Sequence, residues 1–206
     1  LNKLQYSPQF FMNIKIFFAL AATIMLIASY YPYIRDILSR KTAPHAYTWL
    51  IWSIMYSIAA TIALYGGGGW GVLSPAIGAL LNVTVFILSL KYGTRNIKTS
   101  DRIILLLALL SIVVWMLAKT PVFSVFMVTA IDAFGYIPTL RKSWEEPWSE
   151  TLSFWLLVTA ANILSLLALG AFNWLTATYL IMLTTLNALV SIVCIFRRNS
   201  VPRTAL

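Results

Sequence analysis

Along this chain the apolar residues run in long blocks, and charge, proline and glycine gather in the short gaps between them. The blocks fall at roughly 14–39, 46–65, 72–90, 102–119, 121–141, 151–169 and 174–196. Each is close to the ~20 residues that span a bilayer as a helix. Lipid offers no partner to a bare peptide group, so such blocks must satisfy their own hydrogen bonds as helices. The pattern therefore predicts an all-α polytopic membrane protein with seven transmembrane helices. At Lys119-Thr120-Pro121 the division is open, either a tight turn between two spans or a kink within one.

A phrase returns along the chain. Pro32-Tyr33-Ile34-Arg35 comes back 106 residues later as Pro138-Thr139-Leu140-Arg141, and Trp49 comes back as Trp155. The period covers three helices, so spans 1–3 match spans 5–7 and span 4 is left over. Three crossings invert the chain, and a fourth lets the second unit start on the same side as the first. The predicted architecture is two parallel triple-helix bundles joined by a linker helix, a known transporter plan with its site at the interface of the repeats. The domains are then an N-terminal extension or appended remnant at 1–13, a first bundle at 14–90, a basic loop and linker helix at 91–120, a second bundle at 121–197 and a tail at 198–206.

Composition agrees with lipid as the solvent: 60% of the 206 residues are hydrophobic and only 10% are charged. Mean hydropathy is +0.83. The net charge of +9 does not point to nucleic acid, because the basic residues punctuate spans and form no groove-sized patch. With seven spans, 12 of them fall on one side and only Lys3, Lys15 and Lys119 on the other. The positive-inside rule then puts the N-terminus outside and the C-terminus in the cytoplasm. Oligomeric state is left undetermined.

Several residues carry candidate chemistry. Pro32 and Pro138 each lack a backbone donor within a helix, which bends it and makes them paired hinges. Tyr33, Arg35 and Arg141 stand beside them as gating residues at the cytoplasmic boundary, where the arginines have Asp36, Glu145, Glu146 and Glu150 as partners. Asp132 is the sharpest signal, since an ionisable group inside a span normally faces a cavity or a partner. It reads as a proton-coupling carboxylate, an acceptor for substrate hydroxyls or cations, or a structural bond to Asn162. Its repeat counterpart is Leu26, so its role belongs to one half only. Asn82 and Asn187 lie deep in the third helix of each unit and offer donor and acceptor to a polyhydroxylated ligand. Asn162 and its counterpart Tyr56 lie on the second helices. Trp49, Trp52 and Trp155 start those helices, either as interfacial anchors or as an aromatic wall able to stack on a ring. Trp70 and Trp174 read as interfacial anchors.

His45 is the lone histidine and Cys194 the lone cysteine. Neither assembles a metal site, and no nucleophile elbow, zinc motif or close pair of intramembrane carboxylates occurs. The expectation is no enzyme, no metal and no cofactor.

The duplicated triple-helix unit, the odd linker helix and the proline phrase resemble the SWEET and PQ-loop transporter superfamily, over about 14–197. In that family the phrase is Pro-Gln; here Tyr33 and Thr139 stand in place of the glutamines. Sugar-moving members resemble this chain in the asparagine of each third helix, matched by Asn82 and Asn187, but not near Ala60 and Leu166, which are aliphatic where those members have an aromatic residue. Proton-coupled amino-acid exporters have membrane carboxylates similar to Asp132. Vitamin-precursor carriers have a Trp-x-x-Trp phrase like Trp49-Leu50-Ile51-Trp52. The resemblance, nearest to a prokaryotic branch, implies a carrier in a prokaryotic inner membrane for a small, largely neutral polar solute, sugar-like or nucleoside- or vitamin-precursor-like, working by alternating access, passively or with proton assistance. A membrane receptor or sensor on the same scaffold, a proton-coupled amino-acid transporter and a structural subunit are the alternatives.

Overall fold

The computed structural model describes residues 8–93, 99–117 and 120–202, without the side chains of 8–11, of Pro138 and of several positions in 100–116. Lys3, Arg95, Lys98, Lys119 and Arg203 lie outside the described residues, as do parts of the expected N-terminal extension, basic loop and tail. Those residues form seven α-helices: α1 (Pro8–Leu38), α2 (Ala46–Tyr65), α3 (Leu73–Tyr92), α4 (Thr99–Leu117), α5 (Pro121–Glu145), α6 (Leu152–Ala168) and α7 (Trp174–Arg198). Short 3-10 turns at Gly69–Val72 and Pro147–Ser149 precede α3 and α6.

Local chemistry sets the helix ends. Pro121 opens α5 in the first helical turn, where its missing N–H costs nothing. Asn173 caps α7 with a capping box: its side chain accepts from the backbone N–H of Leu175 and Thr176, and Thr176 Oγ1 accepts from the N–H of Asn173. Arg197 and Arg198 fill the last turn of α7, where the helix dipole favours cations. α1 runs through Pro32 as one helix of 31 residues.

The expectation of seven transmembrane helices is corrected here. Among the described residues five helices are long and apolar enough to cross a membrane, in the stretches Met12–Leu38, Ala46–Tyr65, Gly69–Tyr92, Pro121–Glu145 and Trp174–Arg198. The apolar helix α6 has only 17 residues, a rise of about 26 Å against a hydrocarbon core of about 30 Å. It is short because the turn at Pro147–Ser149 and the extended Glu150 and Thr151 delay its start, while Leu169 and Gly170 leave the helix to meet another loop. α4, several of whose side chains lie outside the described residues, is also not among the five. Apolar blocks in the sequence had absorbed loop residues that the fold uses elsewhere.

Helix pairing follows the internal repeat. α3 packs against both α1 and α2, and α7 packs against both α5 and α6. Between the two groups α1 lies along α6, the most extensive helix contact in the molecule, and α2 lies along α5. The periphery is apolar: Phe17, Ile24, Tyr31, Leu80, Leu90 and Phe196 are all exposed. Polar side chains sit inside, with Ser29, Asn82, Asp132, Asn162, Ser165 and Asn187 buried. That inversion suits a chain whose exterior meets lipid.

Candidate functional site

Where the two helix groups meet, six aromatic rings close a loop. Neighbouring centroids are 6.2 Å apart for Tyr30 and Trp49, 5.1 Å for Trp49 and Trp52, and 5.0 Å for Trp52 and Tyr136. The loop continues through Trp155 at 6.3 Å and Phe154 at 5.0 Å, and returns to Tyr30 at 5.2 Å. Most of these contacts are edge-to-face or tilted, the geometry that ring quadrupoles favour. Gly135 allows the closeness on one side, since a Cβ there would sit 3.0 Å from Trp52 Nε1. The enclosed space is about 10 Å³, room for roughly one water.

Two tyrosine–asparagine pairs reach this space, one from each repeat. The Tyr30 hydroxyl donates to Asn82 Oδ1, and the Tyr136 hydroxyl donates to Asn187 Oδ1 at 3.0 Å. Both asparagines line the cavity and are almost completely buried, and neither amide nitrogen has a partner. Trp52 Nε1 is a third unpartnered donor on the same wall. The other two indoles are engaged: Trp155 Nε1 donates to Glu150 Oε2 at 3.1 Å, and Trp49 interacts with Tyr33.

On one side of the ring, toward the start of α5, lies a polar layer. Asp132 is fully buried with neither oxygen hydrogen-bonded. Its nearest polar neighbour is Tyr179, whose hydroxyl interacts electrostatically with the carboxyl but completes no hydrogen bond. Tyr56 packs edge-to-face on Tyr179 at 5.5 Å, and Asn162 is buried with a free amide nitrogen. Beyond this layer the loops after α2 and α6 are clipped together. Gly170 N donates to Gly68 O at 3.0 Å, Ala171 N to Gly67 O at 3.2 Å, and Asn173 Nδ2 to Gly66 O at 3.0 Å. Lys15 Nζ adds a bond to Gly170 O at 2.9 Å. A side chain at Gly170 would collide with this clip, its Cβ lying 2.8 Å from Gly67 O.

The opposite end is open. A vestibule of about 1250 Å³ is lined by Asp36, Arg40, Lys41, Glu145, Glu146, Glu150 and Arg198, among others. One turn before Asp36 on α1, Tyr33 is buried against Trp49 and Phe154 at 5.1 and 4.7 Å. Two polar bridges tie the helix ends around it. Thr151 Oγ1 donates to Asp36 Oδ2 at 2.9 Å, joining α1 to the start of α6. Lys142 Nζ pairs with Glu150 Oε1 at 3.2 Å, joining α5 to the same place. Arg198 completes the corner by donating to the backbone carbonyls of Pro147 and Glu150.

The residues singled out in the sequence thus separate into groups. Asn82, Asn187, Tyr56, Trp49, Trp52 and Trp155 line one cavity. Asp132, Asn162 and Tyr33 are buried outside its lining. Arg35 pairs with its neighbour Asp36 at 3.0 Å, and Arg141 is exposed while Lys142 makes the bridge to Glu150. Pro32 and Pro138 lie two residues beyond the paired tyrosines on α1 and α5, and the side chain of Pro138 is outside the described residues. Trp70 and Trp174 are exposed near the clip. The threonines near the asparagines turn to their own helices: Thr84 donates to Leu80 O, and Thr184 to Leu180 O.

Sequence reasoning missed Tyr30, Tyr136, Phe154 and Tyr179, and it gave Glu150 to the arginines where the structure gives it to Lys142 and Trp155. A signal for the first two was present, because each repeated proline is preceded by a tyrosine two residues earlier, in Tyr30-Tyr31-Pro32 and Tyr136-Ile137-Pro138.

Apolar helices crossing a bilayer, a polar interior and a closed cage below a vestibule define a polytopic helical membrane protein with a transporter-like bundle. No protein-family model, no curated protein and no solved structure matches this chain. Among the described residues no group of three or more histidine, cysteine or acidic side chains is placed to hold a metal ion.

Proposed function

We propose that the chain is a carrier, not an enzyme, that moves a small, largely neutral polar solute across a membrane by alternating access. The observation that carries this reading is the repeated pair Tyr30–Asn82 and Tyr136–Asn187 facing one cavity between a clipped end and an open vestibule. A passage closed at one end by loop-to-loop hydrogen bonds and open at the other has the form of one end state of such a cycle. The vestibule is the cytoplasmic end in this reading, because Arg35, Arg40, Lys41, Lys142, Arg197 and Arg198 surround it. Proton assistance would draw on Asp132, the one buried carboxyl beside the passage without a hydrogen-bond partner. Membership of the SWEET and PQ-loop superfamily is part of the same proposal, supported by the way α3 and α7 each pack between their two neighbours.

The test is a thermal-stabilisation screen of the purified chain over sugars, nucleosides and amino acids, followed by counterflow of any stabilising solute in sealed vesicles. Asn82→Ala and Asn187→Ala should each weaken binding about tenfold while leaving the unliganded melting temperature near that of the parent. Binding without exchange would favour a receptor. Normal uptake by both variants would remove the asparagines from the path.

A further inference from the structure

The hydrogen-bond polarity of the aromatic cage is one-sided. An asparagine amide ordinarily offers a ligand both an acceptor and a donor. Here a tyrosine hydroxyl takes one of the two acceptor positions on the oxygen of Asn82 and of Asn187, while both N–H groups of each amide are unpartnered. Trp52 contributes a donor that has no acceptor character at all. Three residues that line this cavity of flat aromatic faces therefore carry unpartnered donor nitrogens, and their N–H groups outnumber the one acceptor position that each amide oxygen retains. No lysine, arginine or histidine is among the lining residues. The Asp132 carboxyl lies four residues before Tyr136 on α5, within electrostatic range of Tyr136 and Tyr56. A negatively charged solute would meet no counter-charge and one carboxyl.

We propose that this cage selects a planar, neutral solute that presents carbonyl oxygens or unprotonated ring nitrogens, in preference to a polyol. This inference rests on the carrier reading, since it takes the cage as the place where the solute binds. The stacking faces suit a flat heterocycle, and the unpartnered N–H groups of Asn82, Asn187 and Trp52 suit acceptors on its edge. A sugar brings a donor with every hydroxyl, and a donor buried without an acceptor opposes binding. The symmetric tyrosines are then specificity residues: each takes up half of an amide oxygen's accepting capacity and leaves the amide chiefly a donor. Because the closed cage holds about one water, the rings must part to admit the solute.

Calorimetry on the purified full chain in lipid nanodiscs tests this with two probes. One is 1,3-dimethyluracil, which is flat, neutral and free of N–H and O–H groups; the other is glucose. The dimethyluracil should bind about tenfold more tightly or better, and Asn82→Asp or Asn187→Asp should weaken it by a similar factor. The paired change Tyr30→Phe with Tyr136→Phe frees both amide oxygens and should narrow the gap between the probes. Should the aspartate variants fail to fold, this pair decides: an unchanged preference overturns the proposal. Tighter binding of glucose, lost in the aspartate variants, overturns it while leaving the carrier reading in place. Binding of neither probe also overturns it, and reaches the carrier reading only if no solute of the wider panel shows counterflow.

Discussion

Asp132 and the two asparagines are legible as single residues in the sequence, because a polar side chain in an apolar block announces that it has been kept for a reason. What each one meets is not legible. Asn82 and Asn187 acquire their character from Tyr30 and Tyr136, about 50 residues away in the chain. Asp132 acquires its character from having no hydrogen-bond partner, with Tyr179 of α7 beside it. If this carboxyl couples transport to protons, Asp132→Asn should abolish accumulation driven by a pH gradient and spare counterflow. Unchanged accumulation in vesicles with an imposed gradient would sink that role. The repeat makes the test sharper, because Leu26 at the matching position offers no substitute carboxyl.

At the scale of elements, the long helices were readable and their use was not. The apolar blocks located all seven helices, yet α6 proved too short to count as a spanning helix because its flanks were drawn into a turn and a loop contact. The helix ends of the second repeat carry more chemistry than block boundaries convey. Lys142, in the last turn of α5, reads in the sequence as a topology signal, and it holds Glu150 where that carboxylate also receives the Trp155 indole. Removing the cation alone leaves a buried carboxylate unpaired, which is costlier than losing both partners. Lys142→Met should therefore lower the thermal midpoint, and adding Glu150→Gln should recover most of the loss. Thermal denaturation followed by near-ultraviolet circular dichroism reads both effects, and no recovery in the pair would mean that the bridge does not hold the corner.

For the whole molecule, the clip between the loops after α2 and α6 is the feature most exposed to test. A Cβ at Gly67 would lie 3.8 Å from the Cβ of Ala171, which matches the spacing of a disulfide. In a Cys194→Ala background, Gly67→Cys with Ala171→Cys should cross-link on oxidation. Counterflow should then stop, and it should return on reduction. Solute binding from the vestibule side should persist in the oxidised chain. Transport that continues through the cross-linked protein would show that the clip does not open in the cycle. Glycine-rich loops carry little sequence signal of a contact like this one, because its bonds use backbone atoms alone.

By itself the sequence determined that the chain is helical and lives in a membrane, since no other solvent accepts so much apolar surface and no other secondary structure satisfies the backbone of its long apolar blocks. It also determined the repeat, and with it the matched placement of Asn82 and Asn187. Tertiary structure alone decided how many helices are long enough to span, because that depends on where loops leave the helices and what they touch. It alone assembled the six-ring cage, since Tyr30, Trp52 and Phe154 come from three different helices. It alone fixed which atoms of the asparagines remain free. Hydrogen bonding between side chains is a property of the packed molecule, and the order of residues carries only the means to make it.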